Sequence, residues 1–446
     1  MDQIRLTYEK GTILVKGNIR VPNTAWDSRS NAHRAMAIYY KDILDYLERS
    51  KIDFSDDVLE LIPAPFFKSS IKLRRYQQDA LDSWLMAEKR GVIVLPTGSG
   101  KTLIALKAIS TLNLSAIVIV PTLDLIGQWR SRISEEFDVA VGMYGGGEHI
   151  LQPVTVATYD TAYIMAGEIG NRFSLVIFDE VHHLPSSGYA HIAEMFASPY
   201  RMGLTATYER GDGLHSELPR LVGGKIYEID VDALSGRYLS NYSLERITVD
   251  LTPEEEKLYE HNRDIFKTYL RNHHIILKTP RDFQRFVMRT GRDRGAREAL
   301  LARNRAEKIA LNSSSKITAL KKILKRHLDD RTIIFTQHNS LVHLISKKFL
   351  IPSITYKTPL KERAEILKNF KTGRYRLIVT SKVLDEGVDV PEASIGIILS
   401  GSGSRREFIQ RLGRILRPKR KAAILYEIVS RKTTEVGTAR RRKEPL

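Results

Sequence analysis

The sequence predicts an α/β chain. Two parallel-sheet domains are preceded by a small α+β unit and separated by a helical segment. Three observations carry this reading. Short, nearly continuous apolar runs alternate with helix-like segments in two stretches, 70 to about 230 and about 315 to 430. Strands of that composition belong to parallel sheets covered on both faces. Between the stretches the pattern changes to long polar segments with helical spacing. A chain of 446 residues, 42% of them apolar, also holds enough material for two to four domains with sizeable cores.

Residues 1–65 form the first unit. "IRLTYEKGTILVKG" reads as two strands around the turn Glu9-Lys10-Gly11. Residues 31–50 place Met36, Tyr39, Tyr40, Ile43, Leu44 and Leu47 at helical spacing, so both tyrosines are expected in the core, and "LIPAPFF" reads as a linker. The first sheet domain, 66–245, takes its strands from "VIVL" (92–95), "AIVIV" (116–120), "TVAT" (155–158), "LVIFD" (175–179) and "MGLTAT" (202–207). The segment 246–312 reads as two helices, "TPEEEKLYEHNRDIFKTYLRNHH" and "REALLARNRAEKIALNS". Its stretch 271–308 carries eleven Lys or Arg against four Asp or Glu, either a solvated face or a grip on a polyanion. The second sheet domain, 313–432, follows with "TIIF" (332–335), "LIVT" (377–380), "IGIIL" (395–399) and "AILYEIV" (423–429). Residues 433–446 close the chain as a basic tail, whose end "ARRRKEPL" (439–446) is expected to be disordered.

The charge balance points to a partner. Lys plus Arg is 70 and Asp plus Glu is 52, a formal +18. A soluble chain this basic suits nucleic acid. The absence of cysteine excludes disulfides and any Cys-ligated zinc or iron–sulfur site. No apolar run approaches the ~18 residues of a membrane span, so an intracellular location is expected.

"GVIVLPTGSGKT" (91–102) is the stretch with the clearest chemistry. Strand, small-residue turn, lysine, hydroxyl and helix follow one another. The full phosphate-loop pattern wants a second Gly five residues before Gly100, where Leu95 stands, so this is a shorter variant. Its chemistry still holds. Thr97, Gly98, Ser99 and Gly100 can turn backbone N–H groups toward an anion at a helix N-terminus. Lys101 can reach terminal phosphates, and Thr102 can bind Mg²⁺. "LVIFDEVHHL" supplies the partner: Asp179 for Mg²⁺ and Glu180 to orient and deprotonate water. His182 and His183 are adjacent and point in different directions, which suits a role in linking nucleotide to substrate better than a metal site. "QRLGRILRP" offers Gln410, Arg414 and Arg417. Arg414 and Arg417 share a helix face and could stabilise charge on the transferred phosphate, which would make hydrolysis wait on domain closure.

At this point the chain resembles a superfamily 2 helicase or translocase, with that family's motifs in order from about 73 to 418. "LRRYQQDAL" resembles the adenine-side motif, with Arg74 and Gln77. "IVPTLDLIGQW" and "ATYDT" resemble motifs Ia and Ib. "GLTAT" resembles motif III, with Thr205 and Thr207, and "IIFTQ" motif IV. "VTSKVLDEGVDVP" resembles motif V, with Gly387 and Asp389, and "QRLGRILRP" motif VI. Within the superfamily it is most similar to the XPB family in its compact archaeal form. The DEVH signature, the N-terminal unit (similar to a damage-recognition domain) and the basic segment at the place of a thumb-like insertion all point there. Where that family carries Arg-Glu-Asp after motif III, this chain has Arg210, Gly211 and Asp212.

The resemblance implies two RecA-like motor domains, ATP with Mg²⁺, and DNA as track with 3′-to-5′ polarity or duplex translocation. It implies a role in nucleotide excision repair or transcription, and a nuclease as partner. Candidate DNA contacts in the family's pattern are Thr122, Thr158, Arg210, Asp212, Thr336, Gln337 and Thr380, with His182, Thr205 and Thr207 coupling ATP to DNA. Three other readings stand beside it: an RNA helicase of the DExH type, the motor subunit of a nuclease complex without unwinding activity of its own, and a DNA-binding scaffold with a degenerate ATPase.

Overall fold

The computed structural model describes residues 4–234, 242–381, 393–401, 408, 411 and 423–441. The chain divides into two units, Met1–Ala233 and Leu234–Leu446.

The first unit opens with a small sheet in the order Ala25–Asp27, Ala32–Met36, Thr12–Lys16, Ile4–Glu9, Phe54–Asp57. The expected hairpin is present, turning at Lys10 and Gly11, both at positive φ (45° and 86°). The helix expected over 31–50 begins only at Tyr40. Ala32–Met36 is a strand paired with Thr12–Lys16, because pairing outweighs the helical spacing of so short a stretch. Ile43 and Leu47 of the helix Tyr40–Arg49 pack on the sheet with Leu6, Ile13 and Val15. Tyr40 is buried and donates to Asp56 Oδ2 at 2.6 Å, Tyr39 packs against the cores of both sheets of this unit, and Trp26 stays exposed. Residues 58–74, which include the expected linker, carry no helix or strand. The small sheet is fastened to the larger one beside it. Tyr8 Oη donates to the carbonyls of Met195 (2.9 Å) and Ala166 (3.1 Å), and the backbone N–H groups of Glu60 and Ile62 bond the carbonyls of Asn171 and Arg172.

The larger sheet runs Lys225–Glu228, Arg90–Val94, Tyr200–Thr205, Leu175–Asp179, Ala116–Val120, Val154–Thr158, Gly142–Gly145, Glu148–Ile150. Every pairing is parallel except the last, a hairpin. Ala116–Val120, Val154–Thr158 and Leu175–Asp179 are buried at every position, as expected for strands covered on both faces.

The second unit has its own parallel sheet, ordered Tyr242–Val249, Ala423–Ser430, Ile395–Ile398, Thr332–Phe335, Leu377–Thr380, Ser353–Ile354. Tyr242–Val249 corrects the expected boundary at 245, because the strand lies wholly in this second sheet. Arg246 fixes it there, donating to the buried Glu427 Oε2 at 2.7 and 2.9 Å. The segment after it forms three helices rather than two: Pro253–Asn272, Pro280–Arg289 and Arg294–Leu311. The first starts at a capping box, with Thr252 accepting from the Glu255 N–H, Glu255 accepting from the Thr252 N–H, and Pro253 in the first turn. Ala296, Ala299, Ala302, Ala306 and Ala310 form a buried small-residue stripe on the third helix, which lets its neighbour approach closely.

The end of the chain is a second correction. Thr434–Arg441 is a helix, so Ala439, Arg440 and Arg441 are helical rather than disordered. Its Glu435 is buried and receives Lys316 Nζ at 2.6 Å on each oxygen. Lys316 also donates to the Leu399 carbonyl (2.8 Å), and the Ser430 N–H donates to Glu435 (2.8 Å).

Candidate functional site

The carboxyl edge of the larger sheet collects the predicted side chains. In open parallel sheets ligands bind there. Arg90–Val94 leads into the phosphate loop, Tyr200–Thr205 ends at Thr205, and Leu175–Asp179 ends at Asp179. Ala116–Val120 leads to Thr122, and Val154–Thr158 ends at Thr158. These five strands are consecutive neighbours in the sheet. Nucleotide-type groups therefore occupy three adjoining strands and the nucleic-acid candidates the next two.

The loop is built as the sequence implies. Gly98 and Gly100 sit at φ 83° and 85°, and Gly100 caps the helix Lys101–Leu112, with Thr102 half-buried in its first turn. Ser99 is held from behind: its carbonyl accepts Tyr76 Oη at 2.6 Å and Gln77 Nε2 at 2.7 Å. Gln77 Oε1 accepts the Arg74 N–H at 2.9 Å. In this geometry Gln77 braces the loop, and Arg74 is exposed beside it. Lys101 Nζ lies folded over the loop and donates to the Leu95 carbonyl at 3.0 Å. A Cβ on Gly100 would meet Gln77 Nε2 at 2.4 Å at a φ that side chains rarely adopt. Gly100→Ala is therefore expected to raise the KM for nucleotide or abolish turnover and to lower the thermal transition modestly; fluorescent-nucleotide binding and thermal unfolding check it.

Asp179 is buried at the end of its strand. Burial pushes its carboxyl up; the Trp129 indole N–H, at 2.9 Å from Oδ2, and the Lys101 charge pull it back. Glu180 follows at φ 50°, a left-handed conformation costing a non-glycine residue about 1–2 kcal/mol. Strain of this kind collects at functional sites. Glu180 Oε2 lies 3.5 Å from His182 Nδ1, which is also 3.0 Å from Thr205 Oγ1. Thr205 Oγ1 donates to the Thr207 carbonyl (2.8 Å) and accepts the Thr207 N–H (3.1 Å). Hydrogen bonds thus run from His182 to Thr205 and Thr207, with the Glu180 carboxylate in contact with His182 at the near end. His183 stacks on His182, ring centroids 4.4 Å apart.

Arg210 and Asp212 are paired with each other, with Asp212 exposed to solvent. Arg210 donates to both Asp212 oxygens, at 2.6 and 3.0 Å, and to the His182 carbonyl. Hydrogen bonds from Arg210 hold the Asp212 carboxyl down at about 2. The element after Thr207 is thereby tied to the turn that carries Glu180.

Thr122 and Thr158 cap the helices Leu123–Phe137 and Tyr159–Ile169, and the Thr158 hydroxyl accepts the Thr161 N–H at 3.2 Å. In the second unit Thr336 and Thr380 are fully buried, and their hydroxyls donate to the carbonyls of His338 (3.1 Å) and Ser381 (3.0 Å). This corrects the expectation that these hydroxyls face a nucleic acid, since burial has turned both to the local backbone. Gln337 is half-buried, its N–H donating to Ser400 Oγ at 2.8 Å. Gly387, Asp389, Gln410, Arg414 and Arg417 lie outside the described residues. Arg411 is buried, with its guanidinium 5.4 Å above the Phe335 ring.

Trp129 and Tyr76 are the site residues that sequence reasoning passed over. Both stood inside quoted motifs, but as apolar residues at helical spacing they read as core. Only their polar edges, aimed at Asp179 and Ser99, distinguish them.

The residues fit a magnesium–nucleotide group. The Thr97 and Thr207 hydroxyls are buried without a hydrogen-bond partner among the described residues. The Leu95 N–H to Thr205 carbonyl bond (2.9 Å) joins the segments that carry them. Thr102 and Asp179 offer hard oxygen donors of the kind Mg²⁺ takes.

Comparison with known proteins agrees with this geometry. The helicase domain of Pyrococcus furiosus Hef matches over 83% of this chain and 98% of its own, with a TM-score of 0.54 at 20% identity. Residues 70–210 match the model of the type III restriction enzyme res subunit. Fold and phosphate loop thus define a motor of the helicase class, with RecA-like parallel sheets. Residues 6–58 match the xeroderma pigmentosum group B helicase damage recognition domain, and 299–446 the ERCC3/RAD25/XPB C-terminal helicase. DNA 3'-5' translocase XPB2 of Sulfurisphaera tokodaii is 47% identical over 99% of this chain and all of its own length. The XPB/SSL2 subunit of the general transcription and DNA repair factor IIH of Saccharomyces cerevisiae is 27% identical over 90% of this chain and 46% of that protein. The chain belongs to the XPB family of DNA helicases and translocases. It spans about half the length of the yeast relative.

Proposed function

We propose that this protein is an ATP-driven DNA translocase or helicase of 3′-to-5′ direction, opening duplex DNA in nucleotide excision repair or transcription. The observation that carries the reading is the chain of contacts from Glu180 to His182, hydrogen-bonded from His182 onward to Thr205 and Thr207. It links a strained carboxylate at the phosphate loop to the strand end that neighbours it. The full-length likeness to a protein named a DNA 3'-5' translocase supports DNA as the track.

The backbone N–H groups of Thr97–Gly100 cradle the phosphates, and Lys101 exchanges the Leu95 carbonyl for a phosphate oxygen. Thr102 and Asp179 would hold Mg²⁺, which when bound offsets charge on the terminal phosphates. Trp129 keeps Asp179 aimed and partly offsets the upward push of burial on its carboxyl. Glu180 takes the proton of the attacking water. That proton removes the negative charge beside the His182 Nδ1–H, and His182, which donates to Thr205 Oγ1, passes the change to Thr205 and Thr207. Gln77 could reach the adenine by giving up its bond to the Ser99 carbonyl or to the Arg74 N–H. From the resemblance alone, Gly387 and Asp389 are assigned to nucleotide, and Gln410, Arg414 and Arg417 to charge on the transferred phosphate. Thr122 and Thr158, at neighbouring strand ends, contact DNA phosphates, and Gln337 does so on the second unit. Such contacts hold a track without reading its sequence. Among the described residues no helix is long and apolar enough to cross a membrane. Action on intracellular DNA, beside the nucleoid and with a nuclease as partner, completes the proposal.

The test compares ATP hydrolysis alone and with duplex DNA, single-stranded DNA and RNA. Stimulation by either DNA form and not by RNA is expected. Stimulation by RNA alone favours the RNA-helicase reading.

A further inference from the structure

The second unit contains a cavity of about 660 Å³ that the motifs above touch only at Gln337. The helix Pro253–Asn272 brings Arg263 and Lys267 to it, one helical turn apart on one face. Arg294–Leu311 brings Arg303, and Thr434–Arg441 brings Thr438 and Arg441. Gln337, just past the end of the strand Thr332–Phe335, closes one side.

The charge balance of this lining is one-sided. Its carboxylates are Glu307 and Glu435. Glu307 lies 3.6 Å from Arg303, and Glu435 is taken up by the buried Lys316. Arg263, Lys267 and Arg441 have no ion-pair partner among the described residues. Arg263 lies over the Tyr259 ring and Arg441 touches Thr438 Oγ1 at 3.2 Å. Three uncompensated cations and a carboxamide make a donor set suited to phosphate oxygens, while the Thr438 hydroxyl donates to the Thr434 carbonyl at 3.2 Å and holds Arg441 in place. The buried Lys316–Glu435 pair has a consequence here, since it anchors the helix whose last turn delivers Arg441.

We propose that this cavity is a phosphate site that seats the sugar–phosphate backbone of the DNA track, resting on the motor reading above. It differs from the grip expected on 271–308. Of that stretch's cations only Arg303 lines the cavity, and the decisive ones lie before and after it.

The experiment uses the full-length chain, a fluorescently labelled duplex and a salt titration. Arg263→Gln, Lys267→Gln and Arg441→Gln are combined, with circular dichroism confirming the fold. Lys321→Gln/Lys325→Gln, on a helix that lines a different groove, serves as the control. Each lost phosphate contact lowers the slope of log affinity against log salt by about 0.9, so the triple variant is expected to lose roughly 2.7. The control should lose none. An unchanged slope in the triple variant overturns the proposal. So does a variant that keeps the slope but no longer binds inorganic tripolyphosphate, because the site then serves free phosphates. A wild type whose hydrolysis ignores DNA overturns the motor reading itself; a stimulated wild type with an unchanged variant slope overturns only the site.

Discussion

Glu180→Gln is expected to lower ATP hydrolysis by roughly 10²–10⁴-fold, the range that a positioned general base contributes. Nucleotide affinity should stay within a few-fold of wild type, because Lys101, Gly98 and Gly100 make the phosphate cradle and Glu180 does not. The substitution keeps size and hydrogen bonding but removes the base. It also leaves φ 50° in place, so the backbone strain is unchanged and the comparison isolates the carboxylate. Single-turnover hydrolysis and fluorescent-nucleotide binding read the two quantities separately. Equal hydrolysis by variant and wild type would remove Glu180 from the chemistry.

The second large effect concerns stability. Lys316→Ala leaves Glu435 charged and buried, and Glu435→Ala leaves Lys316 so. Breaking a buried pair from one side typically costs about 3–5 kcal/mol. Each change also strips a partner from a backbone group, the Leu399 carbonyl or the Ser430 N–H. The double substitution should cost less than the sum of the two, since no unpaired charge remains. The chain offers a convenient readout, because its three tryptophans, Trp26, Trp84 and Trp129, all lie in the first unit. Urea unfolding of either single variant should shift the circular-dichroism transition to lower urea and leave the tryptophan-fluorescence transition nearly in place. Coincident shifts of both signals, or no shift, would contradict this account of the pair.

Much of the fold was legible because buried parallel strands announce themselves. Ala116–Val120 and Leu175–Asp179 are apolar at nearly every position, and period and burial agree. The phosphate loop was legible for a different reason. Glycine adopts the φ values found at 98 and 100 without the steric cost a side chain pays, so the chemistry is written in residue type. What was not legible shares one cause: it depends on distant partners. Tyr242–Val249 reads as a polar, charged stretch until the buried Glu427 meets Arg246. The helix Thr434–Arg441 looks like a basic tail until Glu435 meets Lys316, 119 residues away. Thr336 and Thr380 sat in the right motifs, but local backbone groups claimed their hydroxyls. Trp129 reads as a core aromatic until its N–H is seen at Asp179, 50 residues on.

The central claim is that hydrolysis at Glu180 drives motion along DNA. The most direct measurement is displacement of a fluorescent third strand from a triplex-bearing duplex, recorded together with phosphate release. Wild type is expected to displace the strand only with ATP and to release phosphate as it does so, while Glu180→Gln does neither. Rapid DNA-stimulated phosphate release with the third strand still in place would contradict the account.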